Sequence, residues 1–267
     1  MLNIKKEYLH MKTLKERLRA CEPVAGMHVA LTDPCVSELC GMVGFDFLWI
    51  DTEHTAIDYS ILQNHLIGAR AARVPALVRI PWNDPILAKR VLEQGPEGII
   101  FPVINTAEEL DLAMKSTLYP PEGTRGFGPQ RASHYCMMDM DDCIREQNQH
   151  MVRMVQLESK TAIHNLPEMV KNPYVDGFIF GACDLSGSIG ELNRVFDPHT
   201  SELIDEGIRI LKAAGKTAGI STGSNDPRVL QYWHDKGMNF ISAGTDYCLI
   251  ASGAQAVLST LRSLQAE

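Results

Sequence analysis

Eight short apolar runs divide the chain, and each is followed by a segment with helical periodicity. The runs are rich in Val, Ile and Phe and are apolar without alternation, which is typical of parallel strands buried on both faces. We predict strands at 23–30, 45–51, 75–80, 98–103, 151–158, 176–181, 217–222 and 239–244.

The segments between these runs carry helix start and stop signals. An Asp-Pro pair places an N-cap acid before a first-turn proline at 33–34, 84–85 and 226–227. Thr106 and Glu109 have the spacing of a capping box. The longest irregular stretch, 119–135, precedes a predicted helix rich in Asp, Glu and Gln. Glycines stand where a left-handed residue commonly ends a helix, at 95, 215 and 237.

Eight strand–helix repeats predict a single-domain (β/α)8 TIM barrel over residues 1–267. An open doubly wound sheet is the main alternative, but it favours a GxGxxG loop after its first strand, and that motif is absent there. Residues 1–22 alternate charge with Leu, Ile and Met at helical spacing, so we predict an extra N-terminal helix packed on the outside of the fold. A helical apolar pattern also continues beyond the last strand to near the C terminus.

Composition narrows the range of partners. The 267 residues carry a net charge of −8, which does not attract nucleic acid or an anionic membrane by charge steering. The N terminus has no signal-peptide h-region, and no apolar run reaches membrane-spanning length. Seven cysteines, an odd number with no CxxC pair, indicate reduced thiols. We therefore expect a cytoplasmic protein with neither nucleic acid nor membrane as a partner.

Charged residues collect where the predicted strands end, which is the catalytic end of such a barrel. Two of these, Glu158 and Asp184, follow neighbouring strands and could share a hard cation such as Mg²⁺ or Mn²⁺. They could equally serve as a helix N-cap and as a salt-bridge partner. Position alone leaves both interpretations open.

Other strand ends offer a base and a cation. His54 could act as a general base, although a histidine in this position is often only hydrogen-bonded or exposed. Arg79 could stabilise a carboxylate or an oxyanion, or form an ion pair with Asp51 or Glu53. Two loop arginines, at 125 and 131, could close over an acidic substrate, although solvated surface charges are slightly favoured.

Five motifs in order resemble a known family. They are DFLWIDTEHTAID, LVRIPWNDPILAKRVLEQGPEGIIFPVINTAEE, YPPEGTRGFG, MVQLESKTAIHNL and VDGFIFGACDLSGSIG. Together they are similar to the metal-dependent (class II) pyruvate aldolases of the 4-hydroxy-2-oxoheptanedioate and 2-keto-3-deoxy sugar-acid aldolase type. The resemblance extends from about Pro23 to Ala256 and implies a phosphoenolpyruvate/pyruvate-type barrel.

The resemblance implies a role for several residues. It places the metal ligands at Glu158 and Asp184 and the base at His54. It makes Arg79 the residue that stabilises the transition state. It also implies substrate contacts from Gln156 and from the backbone before the metal-binding aspartate, at Cys183.

Two positions depart from the family pattern. An aspartate that supports the catalytic histidine in the family is replaced by Glu93, which is one methylene longer. A G-P-A sequence before the metal-binding aspartate becomes Gly181-Ala182-Cys183, so a proline is lost and a thiol is gained.

The resemblance implies retro-aldol cleavage of a 4-hydroxy-2-oxo acid to pyruvate and an aldehyde through the enolate of pyruvate. A divalent metal (Mg, Mn or Co) would serve as Lewis acid, and no organic cofactor would be needed. No predicted strand contains a lysine, which disfavours Schiff-base chemistry. Alternatives are an oxaloacetate decarboxylase, a CoA-ester lyase, a barrel phosphodiesterase and a non-catalytic barrel.

The same resemblance implies a homo-oligomer, either a trimer or a hexamer. The C-terminal helix would then be exchanged between subunits. The apolar 248–264 segment is compatible with this arrangement, and equally with packing on its own barrel.

Overall fold

A computed structural model describes residues 12–265 and contains one closed barrel of eight parallel strands. The strands follow one another around the barrel in chain order, which confirms the predicted (β/α)8 fold. All eight predicted strands are present, with bounds that shift by at most two residues. They are β1 Val24–Val29, β2 Phe47–Asp51, β3 Ala76–Arg79, β4 Gly98–Phe101, β5 Val152–Leu157, β6 Gly177–Phe180, β7 Thr217–Thr222 and β8 Phe240–Thr245.

Eleven helices occur in the described part of the chain. In chain order they are α1 Leu14–Arg19, α2 Cys35–Val43, α3 Tyr59–Ala71, α4 Pro85–Leu92, α5 Ala107–Thr117, α6 Met140–His150, α7 Lys160–Met169, α8 Ala182–Gly187, α9 Pro198–Ala213, α10 Pro227–Asp235 and α11 Asp246–Gln265. No helix in this part of the chain is long and apolar enough to cross a membrane.

The predicted helix ends are largely confirmed. Asp84 and Asp226 cap α4 and α10 through their side chains, and Thr106 forms a capping box with Glu109. The N-cap of α2 is Pro34, one residue after the predicted Asp33. The Asp33 carboxylate still accepts from the Cys35 amide at 2.9 Å. The three predicted end glycines, at 95, 215 and 237, all have positive φ.

The N-terminal helix does not pack on the outside of the barrel as predicted. The side chains of Leu14 and Leu18 in α1 join the apolar cluster that fills the barrel interior. The Thr217 hydroxyl at the start of β7 donates to the Leu18 carbonyl at 2.6 Å. Helix α1 therefore closes the end of the barrel where the strands begin. Residues 1–11 of the predicted extension lie outside the described part.

A buried ion cluster fixes this closure. The Asp176 carboxylate, fully buried, accepts from Lys15 Nζ at 2.8 Å and from Arg19 Nε at 2.8 Å. It also accepts from the Arg153 amide at 3.0 Å. Burial lowers the pKa of Lys15 to about 8, because the ammonium loses water that Asp176 only partly replaces. These buried charges thus have a structural role, since they attach α1 to the barrel.

The two loop arginines are structural, so the predicted surface exposure is wrong. Arg125 is 3% exposed, lies over the Tyr119 ring and donates to Glu93 at 3.2 Å. Arg131 is 8% exposed and donates to backbone carbonyls, including Leu66 O at 3.0 Å. Both guanidinium groups hold the 119–135 loop against its neighbours, where carbonyls and Glu93 replace water.

Helix α11 differs from the other long helices because its side chains are almost entirely exposed. Every residue from Leu249 to Gln265 is exposed. Apolar side chains recur along it at spacings of four and three residues, at 250, 254, 257, 261 and 264. This stripe has no partner within the described chain.

Candidate active site

The strands end around a mouth that gathers most of the predicted residues. Asp51 and Arg79 end β2 and β3, while Gln156 lies near the end of β5 with Glu158 directly after it. Asp184 lies in the first turn of α8, just beyond β6. Since the carboxyl ends of parallel strands share one end of a barrel, these polar side chains converge there. This location confirms the expected polar end of the barrel.

Arg79 is held along one edge by Asp51. Its Nε donates to Asp51 Oδ1 at 2.9 Å and its Nη2 to Oδ2 at 2.6 Å. Burial alone would raise the pKa of Asp51, but hydrogen bonds from His28 and Arg79 and the arginine charge bring it below the ordinary value. Asp51 is therefore ionised. The ion pair considered from sequence is present, and it leaves part of the guanidinium free to point elsewhere.

The other edge of Arg79 points toward the mouth. Its Nη1 lies 3.0 Å from Glu53 Oε2 and 3.5 Å from Gln156 Oε1. The Glu53 oxygen is buried and meets this nitrogen at ion-pair distance without the alignment of a hydrogen bond. Nη1 is therefore the nitrogen of the guanidinium that Asp51 does not engage and that faces the other groups at the mouth.

Glu158 is fixed by backbone and side-chain donors. Its Oε2 accepts from the Val103 amide at 2.8 Å and its Oε1 from Gln156 Nε2 at 2.9 Å. Val103 has φ +54°, a left-handed conformation that is strained for a β-branched residue. Gly181 passes so close that a Cβ there would lie 2.6 Å from the Glu158 side chain. Strain and close packing both serve to place this carboxylate.

Three carboxyl groups repel one another at the mouth. The pKa of Glu158 is raised to about 7, chiefly by burial and also by the charges of Glu53 and Asp184, although the Val103 amide and Arg79 oppose the shift. Burial raises the pKa of Glu53 to about 7 as well, with Asp51 and Asp184 adding to the effect. Clustered acids with unrelieved repulsion are the donor set that a divalent cation would neutralise.

The protein supplies only part of a metal coordination shell. In residues 12–265 no three His, Cys, Asp or Glu side chains form a ready metal-binding group. Mg²⁺ and similar ions often take one or two protein carboxylates and complete their shell with water or substrate. Glu158 and Asp184, which lie close enough to raise the pKa of Glu158, could supply two such carboxylates.

His54 lies at the mouth but is not fixed there. Its side chain is 66% exposed, and its Nε2 lies 3.8 Å from Glu53 Oε2. Cys183, in the first turn of α8, is also exposed, with its Sγ 4.0 Å from Asn193 Oδ1. Burial of the sulfur and the charge of Asp184 raise the pKa of this thiol, so it is not activated as a nucleophile.

Comparison with known proteins assigns the chain to a family. Residues 24–252 match the HpcH/HpaI aldolase/citrate lyase family. The chain belongs to this family. It is 32% identical over 255 residues to a hydroxypyruvate/pyruvate aldolase of Deinococcus radiodurans, covering 96% of this chain and 91% of the relative.

A second sequence relative and a solved structure support the same family assignment. A 4-hydroxy-2-oxo-heptane-1,7-dioate aldolase of Klebsiella pneumoniae is 32% identical over 243 residues, which cover 91% of each chain. A crystal structure of an HpcH/HpaI family protein from Burkholderia cenocepacia superposes with a TM-score of 0.88 at 28% identity, covering 94% of this chain and all of the other. The protein is a carbon–carbon lyase of the HpcH/HpaI family, and aldolases of this family generally depend on a divalent metal.

In the described part of this HpcH/HpaI lyase, the Glu93 side chain does not contact His54. Glu93 ends α4, which runs back along the barrel from the mouth toward the start of β4. Its carboxylate accepts from Arg125 at 3.2 Å. Within the described chain the partner of Glu93 is therefore Arg125, and the contact with His54 implied by the resemblance is not formed.

Sequence reasoning missed three residues at the mouth. His28 and Ser221, on β1 and β7, point inward and hydrogen-bond to each other, and the Val103 backbone turns toward Glu158. A histidine within an otherwise apolar strand was the available signal for His28. Nothing in the local sequence marks the left-handed turn at Val103.

Proposed function

We propose that this lyase cleaves a 4-hydroxy-2-oxo acid to pyruvate and an aldehyde, and catalyses the reverse condensation. The observation that supports this most is the grouping of Arg79 Nη1 with the acids Glu158 and Asp184 at one barrel mouth. One cationic donor beside a site for a divalent cation suits a substrate whose carboxylate and keto oxygens lie side by side. The aldolase relatives support the same reaction.

Glu158 and Asp184 would hold the cation, which could be Mg²⁺, Mn²⁺ or Co²⁺. The repulsion among the acids at the mouth supports this assignment, because a cation removes it. When bound, the cation would supply Lewis-acid stabilisation of the negative charge that forms as the carbon–carbon bond breaks. Gln156 donates to Glu158, so it fixes the orientation of that carboxylate.

The other residues of the chain bind and position the reactants. Arg79 Nη1 would donate to the oxygen on which enolate charge develops, and one such preorganised donor can contribute about 3 kcal/mol. His54 would accept the proton from the C4 hydroxyl, directly or through one water. None of the eight strands contains a lysine that could form a Schiff base at the mouth.

We also propose that the working enzyme is a homo-oligomer, trimeric or hexameric, in which α11 packs on a neighbouring subunit. The exposed apolar stripe of α11 supports this, because such a stripe is costly in water. An assembled interface would also allow Glu93 of one subunit to approach His54 of another. That pairing would orient the imidazole, which is otherwise free.

The first test follows enolisation without needing the aldehyde. Pyruvate in D₂O exchanges its methyl protons when an enzyme forms the enolate, and proton NMR measures this exchange. The chelated protein should be inactive, and Mg²⁺, Mn²⁺ or Co²⁺ should restore exchange. The variants Glu158→Gln and Asp184→Asn should remain inactive, while Glu168→Gln, an exposed carboxylate on α7, should behave as wild type. An exchange rate that neither the chelator nor the two substitutions reduce would contradict the proposal.

Substrate choice is tested separately. Pyruvate or hydroxypyruvate is incubated with a panel of aldehydes, and condensation is measured for each. Chelator-sensitive formation of a 4-hydroxy-2-oxo acid supports the proposal. Enolisation without condensation for any aldehyde would point away from an aldolase and toward another lyase of the same family.

A further inference from the structure

His28 lies inside the barrel just behind the candidate active site. Its side chain is 13% exposed and stacks on the Trp49 ring, with ring centroids 5.5 Å apart and planes at 18°. Neither the proposed cation site nor the proposed base uses it. A buried imidazole costs free energy unless its two nitrogens have partners, so those partners show what it does.

Both ring nitrogens are partnered, and the partners fix the tautomer. His28 Nε2 lies 3.3 Å from Asp51 Oδ2, and Nδ1 lies 3.3 Å from Ser221 Oγ. An ionised carboxylate can only accept, so Nε2 carries a proton and donates to Asp51. In the neutral imidazole Nδ1 then accepts from the Ser221 hydroxyl. The chain of donors runs from β7 through β1 to β2.

The same chain continues to Arg79. Asp51 Oδ2, which receives the His28 hydrogen bond, also accepts from Arg79 Nη2 at 2.6 Å. Asp51 holds the Nε and Nη2 edge of the guanidinium, so its orientation decides where Nη1 points. The Trp49 ring lies against both side chains, with Arg79 Cζ 5.3 Å from its centroid. The imidazole and guanidinium thus share one carboxylate and one aromatic platform.

We propose that His28 is a positioning residue that acts through Asp51 to aim Arg79 Nη1 at the substrate. This inference rests on the proposed function, because it assigns Arg79 to the oxygen that gains charge. His28 does not itself need to touch the substrate. Asp51 Oδ1 also accepts from the Glu53 amide at 3.0 Å, so losing the His28 bond on Oδ2 should let the carboxylate turn about that remaining contact and shift the guanidinium with it.

Two substitutions separate the hydrogen bond from the ring. Glutamine carries its amide about where the imidazole has Nε2, so His28→Gln can still donate to Asp51. Phenylalanine keeps a ring on Trp49 but has no donor, so His28→Phe removes the bond and keeps the stacking. His164→Phe, an exposed histidine on α7, is the matched control.

The kinetic test measures kcat and KM for condensation, along with the exchange rate of pyruvate protons. His28→Phe should lower kcat about ten- to a hundredfold, with KM changed by less than about threefold, because orientation matters most in the transition state. His28→Gln should keep kcat within about threefold of wild type. Equal losses in the two variants, or no loss in either, would overturn the inference.

A double-mutant cycle tests the route through Asp51. In an Asp51→Asn background, His28→Phe should change kcat by less than about twofold, because the connection is already broken. Multiplicative losses would show that His28 acts by another path. Crystal structures of both His28 variants provide a test that needs no activity, since the Arg79–Asp51 pairing should persist with glutamine and change with phenylalanine.

These outcomes also distinguish the two proposals. An inactive wild type whose His28→Phe structure shows a displaced Arg79 would refute the proposed function and leave the positioning role intact. An active wild type whose His28→Phe variant keeps both its rate and its Arg79 geometry would refute the positioning role alone.

Discussion

Arg79 and Asp51 are cross-strand partners whose side chains meet through two hydrogen bonds, Nε to Oδ1 at 2.9 Å and Nη2 to Oδ2 at 2.6 Å. The register of β2 and β3 places them directly opposite one another. The carboxylate supplies a counter-charge to the buried guanidinium, and hydrogen bonds from His28 and Arg79 lower the pKa of Asp51 below its ordinary value. The pair is therefore a structural unit, and the proposed function makes it a functional one.

The first prediction concerns Asp51→Asn. The variant keeps the shape of the side chain but leaves buried Arg79 without its main counter-charge, so the free energy of unfolding should fall by about 3 kcal/mol. The same change should lower kcat, because Arg79 is no longer aimed. Urea unfolding and steady-state kinetics measure the two effects. The control is Asp205→Asn, which removes a half-exposed partner of Lys236 and should cost less than about 1 kcal/mol.

Asp176→Asn provides a contrast at the closed end of the barrel. The buried Asp176 carboxylate receives Lys15 and Arg19, and its loss leaves the buried Lys15 ammonium uncompensated. We expect the free energy of unfolding to fall by about 3–5 kcal/mol. Because this cluster lies away from the mouth, kcat of the folded variant should match wild type. A reduced kcat with unchanged stability would contradict the assignment of this cluster to packing.

The pH dependence of cation binding follows from Glu158 and Glu53. Each has a pKa raised to about 7 in the folded protein, against an ordinary value of 4.5. Between those values the folded state holds more protons than the unfolded state, so the stability of the cation-free protein should fall as pH rises from about 5 to about 8. A cation competes with the same protons for the carboxylates. The affinity for Mn²⁺ should therefore increase as pH rises over that range.

Calorimetric titration with Mn²⁺ at several pH values measures this effect, together with the thermal midpoint of the protein with and without the cation. Glu158→Gln has no proton to release at that position, so it should bind Mn²⁺ weakly and lose much of the pH dependence. Its cation-free form should be more stable than wild type at about pH 8, since one repelling charge is gone. An affinity that does not change with pH would show that the ion does not bind beside Glu158 and Glu53.

The parts of the structure that sequence predicts are those set by local or short-range physics. The continuous apolar runs predict all eight strands, because strands buried on both faces tolerate few polar residues. The capping box at Thr106 and the caps at Asp84 and Asp226 depend only on neighbouring residues, and they are confirmed. The convergence of strand ends then follows from topology, which is why the polar mouth is also predictable.

What sequence does not predict depends on contacts between distant segments. The charges of Arg125 and Arg131 predict exposure to solvent. Both side chains are instead buried against residues that lie far away in the sequence. Helix α1 has ordinary amphipathic spacing, and only the open barrel end decides that Leu18 becomes part of the interior. The family resemblance suggests that Glu93 supports His54, and only the structure shows that Glu93 pairs with Arg125 in the described chain.

The exposed stripe of α11 leads to a prediction about assembly. Val257→Asp combined with Leu261→Asp places two charges in the stripe, so burial against a neighbour becomes costly and the oligomer should dissociate. Light scattering measures the mass. The control, Gln255→Asp with Ser259→Asp, adds the same charge on the opposite side of the helix and should leave the mass unchanged. Equal masses for both double variants would contradict packing of α11 on a neighbour.

Assembly leads to the last prediction, which is complementation between two inactive variants. His54→Ala removes the base and Glu93→Ala removes its proposed support, so each homo-oligomer should have a much reduced kcat. If His54 of one subunit meets Glu93 of another, a mixed oligomer contains some sites in which both residues are intact. Unfolding and refolding the two variants together should therefore restore part of the activity, whereas mixing them without subunit exchange should not. If Glu93 acted only through Arg125 within its own chain, every site in the mixture would still carry one defect, and no activity would return.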